Sequence, residues 1–246
     1  MNAPSRIAPE ACARSIQERR YADAAVVFLA GSVIRGENTR CSDLDLVVVY
    51  EQVHHAYRES FVADGWPVEA FVHDPQTLRY FFATDRASGI PALASMIVDG
   101  IALPCPSELS RAVKQSAVHE LQAGPPSWSE QECNFSRYML TDLIDDLREP
   151  RSRAEFQASA SRLHEMLANH FLRSQGLWSA RGKAIVRRLE EVDRVFAAHF
   201  SNAFEIAFAS SDPGPLVALA KDVLEGDGGF LFDGYRADAP EEWRTL

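Results

Sequence analysis

The hydrophobic pattern of this chain changes character near its middle. Before residue 124, short apolar runs alternate with amphipathic stretches; beyond it only helical periodicity is found. The run 25–30 (AVVFLA) is unbroken and apolar, the pattern of a strand buried on both faces. The run 44–50 (LDLVVVY) is β-branched and apolar, and 67–73 (PVEAFVH) alternates, so both are predicted strands. Helices are predicted over 8–21, 75–86 and 107–122, with a further short strand over 100–104.

Gly124-Pro125-Pro126-Ser127 interrupts this pattern. Just beyond it, Ser129 and Glu132 have the spacing of a capping box for a helix that runs to Glu149 and stops at Pro150. More helices are predicted over 153–175, 182–191, 192–210 and 215–225. The segment 226–246 mixes glycines, aromatics and acids and receives no assignment. The expected fold is an α/β domain over 1–125, with a small mixed sheet and flanking helices. An all-α helical-bundle domain, expected to bind substrate, follows over 126–246.

Composition narrows the function classes. Of the 246 residues 46% are hydrophobic and 24% charged, enough to build a buried core. The net charge of −10 argues against broad nucleic-acid binding, which needs Lys and Arg to neutralise phosphates. A small or cationic partner fits better. The four cysteines form no CxxC pair, so neither a disulfide framework nor a thiolate metal site is expected. The most apolar stretch, 24–34, is about half the length of a membrane helix and is interrupted by Gly31 and Ser32. A cytoplasmic protein with no membrane partner is expected.

Chemistry concentrates in three pieces. Gly31-Ser32 closes the first strand, Asp43 and Asp45 open the second, and Glu69 lies in the third. Side chains two apart on a strand share a face, so Asp43 and Asp45 point together while Leu44 and Leu46 pack the other way. Carboxylates held side by side repel unless a cation lies between them, and oxygen-only ligation with several waters is what Mg²⁺ prefers. If a helix begins at Gly31-Ser32, its free amides could cradle phosphate oxygens.

The run from Gly31 to Leu46, GSVIRGENTRCSDLDL, resembles the GSxxRG…SDxDL signature of the polymerase-β nucleotidyltransferase superfamily. Within it the sequence is most similar to the minimal and the aminoglycoside nucleotidyltransferases. Val68–Asp74 (VEAFVHD) resembles the third carboxylate strand of the streptomycin/spectinomycin adenylyltransferases. One departure is Ile34, where the minimal enzymes usually carry Ala. The resemblance implies a Mg²⁺-dependent enzyme moving a nucleoside monophosphate, with ATP the expected donor, to a hydroxyl of a small acceptor. Asp43 and Asp45 would hold one or two Mg²⁺ ions, and Glu69 would act as general base. Gly31, Ser32 and the amide of Val33 would hold the β- and γ-phosphates; Arg35 could reach the phosphates or brace the loop.

Weaker signals lie in the second half. Asp142, Asp145, Asp146 and Glu149 form one acidic stripe opposite Leu140, Leu143, Ile144 and Leu147. The stripe reads either as a solvated face or as a wall for a cationic, aminoglycoside-like acceptor. A helix-domain lysine contacts the triphosphate in similar enzymes, which points to Lys183, with Arg181 as its competitor. Arg194 and His199 have the R-x4-H spacing of certain helical ribonucleases, a pairing close to a chance event here. His54, His55, His164 and His170 read as surface or core histidines rather than ligands. Two other functions compete with the leading one. They are a protein-modifying adenylyltransferase of toxin–antitoxin type and a non-catalytic nucleotide-binding module.

Overall fold

The structure, a computed structural model, describes residues 6–239 and 244. The chain divides into two compact units, Met1–Gly124 and Pro125–Leu246. In the first unit α1 (Pro9–Arg20) precedes β1 (Val26–Ala30), β2 (Leu44–Val49), β3 (Tyr57–Ala63) and β4 (Trp66–His73). Then come α2 (Pro75–Ser88), α3 (Ala92–Asp99), β5 (Ile101–Leu103) and α4 (Glu108–Ala123). The five strands form one mixed sheet in the order β3-β4-β2-β1-β5. β1 runs antiparallel to both β2 and β5, whereas β2 and β4 are parallel.

Period-two alternation sorts the strand side chains onto two faces. Val27, Leu29, Leu44, Leu46, Val48, Val68, Ala70 and Val72 pack with Cys12, Ala13 and Ile16 of α1. Val26, Phe28, Val47 and Val49 pack with Leu78, Phe82, Leu93, Ile97 and Val113 of the helices α2, α3 and α4. β1 is therefore buried along its whole length, which explains its unbroken apolar sequence.

Two elements have no counterpart among the sequence predictions. β3 is an edge strand with an exposed, charged sequence (YRESFVA), so it lacks the hydrophobic signal of its neighbours. Its hairpin partner is β4, joined through Asp64-Gly65, both at positive φ (46° and 80°), with Ala63 opposite Trp66. An Asp-Gly pair is a strong hairpin signal, and it was present in the sequence. α3 is only eight residues long and starts after Pro91, too short for helical periodicity to stand out. A third difference concerns the loop after β1. No helix starts at Gly31-Ser32; residues 31–36 form successive turns, closed by Ile34 N–H to Gly31 O at 3.3 Å and Glu37 N–H to Ser32 O at 3.0 Å.

The second unit is all-α: α5 (Glu130–Arg148), α6 (Arg153–Arg173), α7 (Ala184–Val192), α8 (Arg194–Ser210) and α9 (Gly214–Glu225). Ser129 and Glu132 form the capping box, with Glu132 N–H donating to Ser129 Oγ and Ser129 N–H to Glu132 Oε2. α7 and α8 part at Asp193, whose carboxylate accepts from the amides of Val195 and Phe196. Leu140, Ile144, Leu147, Phe156, Leu163, Phe200 and Leu219 form the centre of one buried core. The chain beyond α9 has no regular structure up to residue 239, yet it is anchored on α5. Arg137 donates to the carbonyls of Gly228 (2.8 Å) and Gly229 (2.9 Å), Leu231 N–H donates to Thr141 Oγ1, and Tyr138 stacks on Tyr235. Among the described residues no helix is long and apolar enough to cross a membrane.

Candidate active site

The parallel pairing of β2 and β4 places Asp45 opposite Glu69. Their strand neighbours Leu44, Leu46, Val68 and Ala70 are buried on the α1 side. Alternation therefore puts both acids on the opposite face, in line with Val47 and Val49. Those valines lie beneath the helices, while Asp45 lies near the start of β2 and Glu69 beside it on β4. Asp43 immediately precedes β2 and lies two residues before Asp45. One carboxylate oxygen from each of Asp43, Asp45 and Glu69 lies within 4.8 Å of the other two, and the three residues are half-buried. Like charges about 4 Å apart repel by ~1 kcal/mol in water and by ~4 kcal/mol at an effective dielectric of 20. Such a cluster calls for cations.

One cation is supplied by the chain. Arg58 Nη2 lies 2.5 Å from Glu69 Oε2. On β3, Ser60 is the partner of Glu69 and Arg58 that of Phe71, so Arg58 reaches Glu69 diagonally across the hairpin. Its guanidinium also sits 5.0 Å from the Phe71 ring centroid. Sequence reasoning missed Arg58 because it missed β3; the Asp64-Gly65 turn, followed back by period two, would have placed it on the Glu69 face.

The loop after β1 closes against the acids. Gly31 has φ +79°, and a Cβ there would lie 2.0 Å from Asp45 Oδ2, so only glycine fits. Ser32 Oγ donates to Ser42 Oγ at 3.3 Å, and Ser42 Oγ also accepts from Thr39 N–H at 2.8 Å, tying the loop to the residue before Asp43. Val33 and Ile34 pack partly buried on the α1-side core. Arg35 is exposed and donates to Glu37 Oε2 at 3.0 Å, an arrangement that braces the loop. Arg6 adds a further tie, donating to Ser42 O and Gly65 O while stacking on Trp66.

The first unit thus brings together Gly31, Ser32, Asp43, Asp45 and Glu69. Lys183 and Arg181 belong to the second unit, where both are exposed just before α7. Asp142, Asp145, Asp146 and Glu149 are all exposed, and Asp145 pairs with Arg148 at 2.6 Å. Arg194 and His199 are exposed as well. His164 packs edge-on against Phe200 and Phe204. His170 is fully buried, with Nδ1 2.9 Å from Ser136 Oγ and Nε2 3.0 Å from Asp227 Oδ2. All four cysteines are free thiols.

Residues 10–85 match the sequence family described as "Nucleotidyltransferase domain". That span contains the loop after β1, the three acids and Arg58. No curated protein matches the chain significantly. Among solved structures, a nucleotidyltransferase-like protein from Exiguobacterium sibiricum 255-15 is similar over 89% of this chain and 75% of that one. The two share 12% sequence identity with a TM-score of 0.44, a likeness too distant to carry a functional argument. The likeness to nucleotidyltransferases shown by the family match is thus confined to residues 10–85, within the first unit.

Proposed function

We propose that this protein transfers a nucleoside monophosphate, AMP from ATP in the preferred reading, to a hydroxyl of a small-molecule acceptor with release of pyrophosphate. The observation that carries this reading is the cluster of Asp43, Asp45 and Glu69, with oxygens within 4.8 Å, inside the span that matches the nucleotidyltransferase domain family. The donor set suits Mg²⁺: it is oxygen-only, and its half-exposed carboxylates leave room for water ligands. Asp43 and Asp45 would hold the ion, which when bound supplies charge neutralisation at the triphosphate.

The remaining roles fall to the chain itself. Glu69 accepts the proton of the acceptor hydroxyl as its oxygen bonds to the α-phosphorus; the bond from that phosphorus to the bridging oxygen breaks and pyrophosphate leaves. Arg58 positions the Glu69 carboxylate from the neighbouring strand. Gly31 lets the loop backbone lie against Asp45; the Val33 amide is the donor offered to the outer phosphates, joined by the Ser32 hydroxyl if it turns from Ser42. Arg35 contributes if its guanidinium leaves Glu37.

The second unit is read as the acceptor-binding domain. Its exposed acidic stripe from Asp142 to Glu149 suits a cationic, aminoglycoside-like acceptor. One observation favours a different role for Glu69: one of its carboxylate oxygens lies within 4.8 Å of an oxygen from each aspartate, which also suits a third metal ligand. Pyrophosphate release from Mg·ATP, screened over hydroxylated acceptors, tests the whole reading. Release that depends on both an acceptor and Asp43 supports it; no nucleotide binding and no release with any nucleoside triphosphate overturns it.

A further inference from the structure

A second group of ligand-type side chains lies wholly inside the second unit, among residues the nucleotidyl-transfer reading does not use. Cys133 is on the first turn of α5, His170 near the end of α6, and Asp227 in the segment after α9. One ligand atom from each, Sγ, a ring nitrogen and a carboxylate oxygen, lie within 4.8 Å of one another. His170 is fully buried and held at both ring nitrogens, by Ser136 Oγ at 2.9 Å and Asp227 Oδ2 at 3.0 Å.

The same place holds an unfilled polar group. Cys133 and Asp227 line a cavity of about 340 Å³ together with Trp128, Ser129, Glu130 and Arg173. Arg173 is 4% exposed; its Nη2 donates to Pro126 O at 2.7 Å, but its Nη1 is buried with no hydrogen-bond partner. A buried guanidinium N–H without an acceptor is costly in a folded protein and marks a place where a ligand atom or water belongs.

We propose that Cys133, His170 and Asp227 form a binding site for Zn²⁺, with a fourth ligand reaching the ion from the cavity beside Arg173. The donor set is the reason for the choice of metal. One thiolate, one imidazole and one carboxylate suit the borderline-soft Zn²⁺, whereas Mg²⁺ prefers oxygen alone. Tetrahedral bonds of about 2.0–2.2 Å set neighbouring nitrogen and oxygen ligands roughly 3.4 Å apart, a small widening of the present His170–Asp227 contact. With Nε2 on the ion, the Nδ1 proton goes to Ser136 Oγ, the partner that fixes tautomer and ring orientation at metal-bound histidines. Three protein ligands with an open fourth position is also the arrangement of zinc sites that accept an exchangeable ligand. Here Arg173 Nη1 would donate to that ligand, favouring water or a small anion.

The consequence for the fold is a clamp. The ion would join α5, α6 and the chain beyond α9, where Arg137 already holds the Gly228 and Gly229 carbonyls. Folding in its presence would be coupled to binding, so bound Zn²⁺ raises the thermal midpoint of the second unit.

The test uses the full chain, stripped by a chelator and kept in excess Mg²⁺ to occupy the carboxylate cluster of the first unit. One equivalent of Co²⁺ is expected to give a thiolate-to-cobalt charge-transfer band that Zn²⁺ abolishes by displacement. Cys133→Ser, a near-isosteric change at a half-buried position, should remove the band, while Cys41→Ser, beside the first cluster, should leave it intact. Ser136→Ala, which keeps all three ligands, should weaken Zn²⁺ binding about 10–100-fold. Far-ultraviolet circular dichroism checks that each variant is folded. Absence of the band in the wild type, its survival in folded Cys133→Ser, or Zn²⁺ affinity unchanged in Ser136→Ala and Asp227→Asn would overturn the proposal. None of these readouts involves nucleotide transfer, so the result stands apart from the function proposed for the first unit.

Discussion

Gly31 and Asp45 are packed so closely that a methyl group on the one would overlap the carboxylate of the other, with 2.0 Å between the added Cβ and Oδ2. Gly36, a few residues on in the same loop, also has positive φ (70°), but a Cβ there meets nothing within 4 Å. The pair separates backbone strain from the steric demand of the site. Gly36→Ala is expected to cost about 1–2 kcal/mol through its left-handed backbone alone. Gly31→Ala should cost about 3 kcal/mol and also displace Asp45. Urea unfolding beside pyrophosphate release checks this: equal effects of the two substitutions on activity would show that the Gly31–Asp45 contact has no functional weight.

Asp43→Asn and Asp45→Asn each remove one charge from a cluster whose members repel. The folded apo protein should be as stable as the wild type or slightly more so, whereas transfer from Mg·ATP should be abolished. Thermal melts without divalent ions, paired with single-turnover assays in Mg²⁺, make the comparison. Wild-type turnover by either variant would remove that aspartate from the proposed site.

Glu69→Gln separates a base from a ligand. As general base, its loss should leave most of the Mg·ATP affinity and slow the chemical step about 10²–10⁴-fold. As a third metal ligand, affinity and rate should fall together, as for Asp45→Asn. Calorimetric affinity measured alongside the single-turnover rate distinguishes the two. Arg58→Met, which breaks the ion pair with Glu69 but keeps a chain over Phe71, should lower the rate with smaller effect on nucleotide affinity.

Asp74 caps α2 and accepts amide hydrogens from Gln76 (3.0 Å), Thr77 (2.8 Å) and Val53 (3.0 Å). The Thr77 amide first, then that of Val53, holds its carboxyl below the usual aspartate value. A depressed carboxylate contributes stability at neutral pH that is lost as pH falls through its folded value. Asp74→Ala should cost about 1–2 kcal/mol, with the deficit shrinking in acid. A deficit constant down to low pH would show that the charge of Asp74 adds nothing to the cap.

His164 is expected to make the second unit acid-sensitive in a narrower window. Burial against Phe200 and Phe204 holds its imidazole below the ordinary value of 6.5, against the opposite pull of Glu165. Below 6.5 the unfolded chain binds a proton that the folded one resists, so stability falls as pH drops through that value and is unaffected above it. His164→Leu should flatten the fall in thermal midpoint between about pH 7 and pH 5. His170, in the same unit, is lowered in the same direction by burial, so part of the slope should remain in the variant.

Local periodicity determined much of this protein. The unbroken 25–30 run, the β-branched 44–50 run and the apolar stripe through Leu140, Ile144 and Leu147 each carry their burial in consecutive residues, so strands and helices could be read without a fold. The same holds for the capping box at Ser129 and for the shared face of Asp43 and Asp45, which follows from period two. Relationships between distant residues could not be read that way. The parallel register that sets Asp45 opposite Glu69, the diagonal reach of Arg58 from an exposed edge strand, and the contact that requires glycine at 31 all depend on which strands pair. The approach of Cys133, His170 and Asp227 is the extreme case. Cysteine spacing gave no sign of this cluster, because helix packing, which sequence spacing does not encode, brings α5, α6 and the segment after α9 to one point. Hydrophobic period is a property of neighbours in the chain, whereas a site is a property of neighbours in space.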